Sequence, residues 1–232
     1  DEVGSGVTNW SIGDEVFGGK SFSGQADFVV VSASKLVRKP AEVSWEQAGG
    51  LDIVGRTAWA SVEAIALTPA DTVLVSAAAG GVGVIAAQLA KLKGATVIGS
   101  ASESNHEFLR SLGIHPVAYG EGMVERILEI SPEGVTAALD NNGRETVDAA
   151  LALGAPADRI NTIADYAAVS EYGTSGVGAA GATSDDLASL SALVAAGTVQ
   201  VPIDSVFPFE QVSEAYTQLL DGHSRGKIVL AL

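Results

Sequence analysis

Through the middle of the chain, short β-branched apolar runs alternate with longer Ala- and Leu-rich stretches of helical spacing. The runs at 72–76, 96–99, 137–140 and 159–162 read as strands, and the stretches at 82–93, 105–112, 123–130 and 146–153 read as helices. Strand then helix, repeated in this way, predicts an α/β fold with a doubly wound parallel sheet and helices on both faces. Val73, Leu74 and Val75 are consecutive apolar residues, as burial of a strand on both faces requires.

Before residue 40 the rhythm changes. Residues 1–39 hold short apolar runs between glycine-rich turns, including the run 26–31, and predict a β-rich unit closed by Pro40. Residues 4–7 and 12–16 read as turn and strand pieces that need further strands to pair with. Ser44 is placed as an N-cap with Gln47 completing a capping box, which starts a helix carrying Trp45 and Ala48 inward. A second helix is expected over 57–66, ending before Pro69. After the glycine-rich stretch 172–181 come a helix at 184–196, an apolar run at 199–206, a helix at 209–220 and a last strand at 227–232. The final helix and strand can return to the β-rich unit, and the chain shows no internal repeat or low-complexity tail.

Composition narrows the function. Among 232 residues, 47% are apolar and 18% charged, and none of the apolar runs approaches the roughly eighteen residues a membrane span needs. A formal charge of −15 opposes nucleic acid binding, which wants clustered Lys and Arg, and fits a solvated acidic surface. The chain contains no cysteine, so disulfides, thiolate nucleophiles and Cys-ligated zinc drop out. That composition fits a reducing cytoplasm, and the opening residues carry no charged segment followed by an apolar one of the secretory kind.

The sharpest motif begins at the strand Val73, Leu74, Val75 and continues through Ser76, Ala77, Ala78, Ala79, Gly80, Gly81, Val82 and Gly83 into a helix. A buried strand entering a glycine turn that opens a helix is what a dinucleotide pyrophosphate needs. Gly80 lets backbone approach the phosphates, Gly83 lets the helix pack close, and free N–H groups at the helix start face the anion. Ala78 stands where the first glycine of the usual fingerprint belongs, and Lys93 with Gly94 makes a helix stop before the second strand. That strand ends in Gly99, Ser100, Ala101 and Ser102, with no carboxylate to bind ribose hydroxyls or repel a 2′-phosphate. Ser100, Ser102, Asn105 and His106 can donate to such a phosphate, which points to NADPH. Glu103 opposes it if the loop bends inward, and His106 has a second reading as a polar residue on an exposed helical turn.

The order and spacing of these motifs resemble the medium-chain dehydrogenase/reductase superfamily, in its zinc-independent NADPH:quinone oxidoreductase-like branch. The resemblance is carried by residues 13–18, 24–29, 39–41, 55–59, 77–83 and 222–230. It implies a GroES-like catalytic domain over 1–49 without its N-terminal strands, a Rossmann cofactor domain over 50–195, and a return to the catalytic domain over 196–232. It also implies Thr57 near the nicotinamide amide, residues Ala79, Gly80, Gly81, Val82 and Gly83 around the pyrophosphate, Tyr119 beside the adenosine, and Asn161 to Ile163 beside the ring. Tyr119 can equally pack without touching a ligand, and Arg225 and Lys227 are either phosphate partners or solvated surface. Homodimerisation through the edge of the nucleotide-domain sheet is expected from the same resemblance.

The zinc-dependent relatives carry a cysteine-rich lobe where residues 19–24 make a short turn, and a zinc cysteine four residues before the threonine now at Thr57. That position is Ile53, which cannot ligate a metal. The expected chemistry is hydride transfer to a small quinone or enone. His115, His223, Tyr166 and Tyr172 are proton donors by chemistry only. Two further readings stay open: an NADPH-binding protein with little or no turnover, and an enoyl reductase of thioester substrates.

Overall fold

The computed structural model describes residues 1–20 and 23–232. Strand β1 (Val16–Phe17) pairs antiparallel with β2 (Val37–Arg38), and α1 (Trp45–Ala64) follows. Then β3 (Thr72–Val75), α2 (Gly83–Leu92), β4 (Thr96–Ser100), α3 (His106–Ser111), β5 (His115–Val117), α4 (Met123–Ile130), β6 (Ala137–Asp140), α5 (Arg144–Ala152), β7 (Ile160–Thr162) and α6 (Tyr166–Tyr172) alternate. Helix α7 (Ser184–Ala195), β8 (Ile203–Pro208), α8 (Val212–Leu220) and β9 (Lys227–Ala231) complete the described elements, with β8 and β9 parallel.

The central sheet is parallel, in the order β5-β4-β3-β6-β7. The strand order reverses beside β3, so a crevice opens past the carboxyl ends of β3 and β6, where open α/β sheets bind ligands. Because side chains alternate across a strand, one apolar run serves two cores. Val73, Val75, Val97, Ala137 and Leu139 pack under α1, α2, α3 and α7 through Leu51, Ile85, Leu109 and Leu190. Leu74, Ile98, Ala138 and Ile160 pack on the other side against Met123, Ile127, Val147 and Ala168 of α4, α5 and α6. Each fully buried large side chain there contributes roughly 1.5–3 kcal/mol.

The Ser44 capping box forms, with Gln47 N donating to Ser44 Oγ and Ser44 N to Gln47 Oε1, both at 3.2 Å. The two expected helices at 44 and 57–66 are a single α1, because its internal glycines are contact points: a Cβ on Gly55 would lie 2.6 Å from Leu190 Cδ2. Trp45 does not point inward. It is 55% exposed and its ring lies 4.8 Å from Nζ of the buried Lys39, so its inner face rests on a cation. The run 26–31 joins no strand among the described residues, and its Phe28, Val29 and Val30 are exposed. Strand β5 and helix α6 were not expected from the sequence; each is short, and each holds through packing on its neighbours.

At the amino ends of the strands, Asp71 ties the sheet together. Its carboxylate accepts from Thr68 N (2.7 Å), Thr68 Oγ1 (2.9 Å) and Thr136 Oγ1 (2.7 Å) and pairs with Arg159 Nη2 at 2.8 Å. Burial pushes this carboxyl up, but the bonds from Thr136, Thr68 and Arg159 outweigh burial and hold it at about 2, against an ordinary 3.8. A carboxyl lowered on folding contributes stability above its unfolded value and loses it as pH falls through its folded value. Asp71→Asn is therefore expected to cost about 2 kcal/mol at pH 7 and almost nothing at pH 2, measured by urea unfolding at both. An equal cost at both pH values would disprove this.

Candidate nucleotide site

The turn at 76–83 leaves β3 and enters α2. Ala77 takes a left-handed conformation at φ 47°, a strain of about 1–2 kcal/mol for a residue with a Cβ, so the tight bend falls on Ala77 rather than on Ala78. Gly80 N closes the bend by donating to Ala77 O at 2.8 Å, and Val84 N donates to Gly80 O at 3.0 Å as the helix begins. A Cβ on Gly83 would overlap the Ala77 carbonyl oxygen and sit 3.0 Å from Ala78 Cα, so only glycine lets the helix start so close to the bend. The first amides of α2 have no intrahelical acceptor and carry the positive end of the helix dipole.

The segment 224–227 crosses this turn. Gly226 N donates to Ala79 O at 2.8 Å, and Gly226 bridges Gly80. The Lys227 stem lies between Gly50 of α1 and Gly81 of the turn: a Cβ on Gly50 would be 3.2 Å from Lys227 Cγ, and one on Gly81 would be 3.0 Å from its Cδ. Burial pushes the Lys227 ammonium below the usual lysine range, and no carboxylate or hydrogen-bond acceptor among the described residues meets it. Next to it, Ser224 Oγ is buried without a partner.

Arg225 joins the same segment to the loop after β4. Its guanidinium lies 4.8 Å from the Phe108 ring centroid, and Nε donates to Asn105 Oδ1 at 2.8 Å. Within the loop, Asn105 Nδ2 donates to Ser102 Oγ (3.1 Å), Ser102 and Ser104 share a hydroxyl bond (3.0 Å), and His106 Nε2 donates to Ala101 O (3.3 Å). Ser100 and Asn105 are buried and Glu103 is exposed. Thus Ala79, Gly80, Gly81, Val82, Gly83, Ser100, Ser102, Asn105, His106 and Arg225 lie in one connected region, with Ala79, Gly83, Ser100 and Asn105 buried within it.

The candidates for the other end of the crevice are more occupied. Thr57 Oγ1 donates to Ile53 O at 2.6 Å within α1. Asn161 is buried, and its amide is used at both ends on Val177, donating to its O (3.0 Å) and accepting from its N (2.8 Å). That pairing, with Ser175 N on Ile160 O and Thr162 N on Ser175 O, lays residues 174–178 alongside β7 as a rudimentary sixth strand. Ile163 follows β7, half-buried, with its N–H on Asp140 O at 3.0 Å. Tyr119 stands beyond β5 and is 53% exposed.

Topology separates the proton-donor candidates. His115 begins the edge strand β5, level with Ile98 of β4 and two strands away from β3, and its side chain is exposed. The Tyr172 hydroxyl accepts from Arg144 (3.1 Å) and donates to Asp148 (3.3 Å), while His223 and Tyr166 are exposed. A feature outside the sequence-derived set is Asp140, buried at the end of β6 and bonded to Ser76 and Thr162; its one sequence signal is an acid closing a buried apolar strand.

Ile53 presents an alkyl group and is 59% exposed, and Asp52, the nearby oxygen donor, is held by Arg56 Nε at 2.7 Å. Among the described residues no three His, Asp or Glu side chains cluster. In the turn 19–24, residues Ser21 and Phe22 lie outside the described residues.

A parallel sheet with its strand-order reversal beside a glycine turn is the architecture of open α/β nucleotide-binding folds. Residues 112–230 match the zinc-binding dehydrogenase family, and the chain belongs to it, in the quinone oxidoreductase-like branch of the medium-chain dehydrogenase/reductase superfamily. A chloroplast envelope quinone oxidoreductase homolog of Arabidopsis thaliana is 30% identical over 262 residues, 99% of this chain and 76% of that protein. The polyketide synthase GfsB of Streptomyces halstedii is 40% identical over 153 residues, 66% of this chain but 3% of the synthase. The quinone oxidoreductase structure from Coxiella burnetii superposes with a TM-score of 0.87 at 30% identity, covering 100% of this chain and 76% of that one.

Proposed function

We propose that the protein is an NADPH-dependent, zinc-free reductase that passes hydride to a quinone or an α,β-unsaturated carbonyl. The observation that carries the reading is Lys227: a desolvated ammonium without a counter-charge, laid across Gly81 of the turn that opens α2. A half-buried cation without a partner attracts an anion more strongly than one in open water, and a pyrophosphate on this turn completes it. The strand end at 99–102, which carries no carboxylate, and the outward Glu103 support the phosphorylated dinucleotide, with Ser102, Asn105, His106 and Arg225 meeting the 2′-phosphate beside Ser100.

In this arrangement Thr57 lies by the carboxamide, the backbone of Asn161 to Ile163 borders the ring, and Tyr119 covers the adenosine. When bound, the dihydronicotinamide supplies the hydride, and the chain supplies orientation and exclusion of water. The apolar Ile53 side chain, standing where a zinc ligand would be, makes metal polarisation of the substrate unnecessary to the scheme.

The test is a fluorescence titration with NADPH and NADH, followed by NADPH oxidation with 1,4-benzoquinone and with an enal. NADPH is expected to bind at least about tenfold tighter, since each charge-assisted bond to a phosphate is worth roughly 1.5–3 kcal/mol. Equal or reversed affinities would overturn the cofactor assignment, and binding without turnover would favour a nucleotide-binding role. The match to a polyketide synthase favours a second substrate class, a thioester-bound enoyl group, distinguished by faster turnover of an enoyl thioester than of the quinone. No helix is long and apolar enough to cross a membrane. The absence of cysteine supports placement in the reducing cytoplasm, and the sheet edge at 174–178 is the proposed homodimer contact, read by mass in solution.

A further inference from the structure

Asp140 ends β6 where the strand order reverses, and only 1% of its surface is exposed. Its Oδ1 accepts from Ser76 Oγ (3.2 Å), Asn142 N (2.9 Å) and Gly143 N (2.8 Å), and its Oδ2 accepts from Thr162 Oγ1 (2.6 Å). Each of those hydroxyls holds more backbone. Ser76 Oγ accepts from Asn141 N (2.8 Å), and Thr162 Oγ1 accepts from Asp165 N (2.8 Å) and Ala164 N (3.2 Å). Ile163 N donates to the Asp140 carbonyl (3.0 Å), and Asn141 Nδ2 donates to Ser76 O (2.9 Å). One buried carboxyl thus connects the residue that starts the phosphate turn with the backbone at the end of β7. No cation among the described residues pairs with it, so its polar atoms are met by these fixed donors alone.

We infer that Asp140 is a positioning residue: it holds the turn at 76–83 and the end of β7 at 162–165 in register, so that both halves of one dinucleotide are gripped at once. The inference rests on reading the crevice as a nicotinamide dinucleotide site. Backbone bonds join β3, β6 and β7 and reach just past their carboxyl ends, with Ser76 N on Leu139 O and Ile163 N on Asp140 O (both 3.0 Å) and Ala78 N on Ser100 O (2.9 Å); beyond these, Asp140 supplies side-chain bonds between the loops. Substitution by Asn keeps the size of the side chain but replaces one acceptor oxygen with a donor facing donors, which breaks the network on one side.

The experiment compares the whole chain with Asp140→Asn and Thr162→Val, titrated with NADPH and separately with 2′,5′-ADP, the adenosine half of the same molecule. The adenosine half needs the turn and the 100–106 loop but not the end of β7. Asp140→Asn is expected to weaken NADPH by about tenfold or more and to leave 2′,5′-ADP within about twofold. Thr162→Val, which removes one donor to Asp140 and the acceptor of Asp165 N and Ala164 N but leaves the carboxylate and its other donors in place, guards against misfolding of the first variant and is expected to shift NADPH in the same direction by a smaller factor. Unchanged NADPH affinity in both variants overturns the inference, and so does an equal loss for NADPH and 2′,5′-ADP, which is the mark of a merely structural residue. Failure of the unsubstituted protein to bind NADPH instead removes the parent reading, and is seen before any variant is made.

Discussion

Gly83→Ala is expected to abolish NADPH binding and to lower stability by about 3 kcal/mol. The added Cβ would overlap the Ala77 carbonyl oxygen and lie 2.8 Å from the Ala77 carbonyl carbon and 3.0 Å from Ala78 Cα. All three are backbone atoms of a bend already strained at Ala77, so no side chain can rotate away. The helix would have to retreat from the turn, and its first amides would leave the place where a pyrophosphate lies. Gly81→Ala is the control: its nearest neighbour is Lys227 Cδ at 3.0 Å, the middle of a flexible stem, so the fold should survive. Urea unfolding and an NADPH titration read both effects. A Gly83→Ala protein with ordinary affinity would disprove the placement of the phosphates.

Lys227→Met is expected to weaken NADPH about thirtyfold while the protein without cofactor becomes no less stable. The two readouts move independently because the ammonium is partly desolvated and meets no acceptor among the described residues, so its removal takes away a binding charge and a partial burial penalty together. A lysine lowered on folding costs stability while it stays protonated, and that cost fades as pH rises from its folded value toward the ordinary 10.5. NADPH favours the protonated form, so its affinity should fall with rising pH before an ordinary lysine would titrate. A loss of stability with unchanged affinity in Lys227→Met would assign this side chain to packing alone.

The two predictions differ in how early the sequence exposes them. Gly80 and Gly83 are readable as a phosphate turn because strand, bend and helix are contiguous, and each constraint acts within a few residues. The Ser44 and Gln47 capping box is local in the same way, and it formed as expected. The sequence predicts two helices where α1 is continuous, since Gly55 packs against Leu190, a residue 135 positions away, and nothing near Gly55 announces it. The capped helix start predicts Trp45 inward, but the face it takes depends on Lys39 and on what α1 packs against.

Local chemistry, then, determined the α/β class, the strand–turn–helix of the nucleotide fingerprint and the acid-free loop at 99–102, because propensity, capping and backbone sterics act over a turn or two. Tertiary structure alone decided that the segment 224–227 crosses the turn, that Lys227 is left without a counter-charge, that Asn161 spends its amide on Val177, and that Asp140 joins Ser76 to Thr162. Those pairings join residues 16 to more than 140 positions apart, and whether a polar group is satisfied or left waiting depends on which distant segment the folded chain brings beside it.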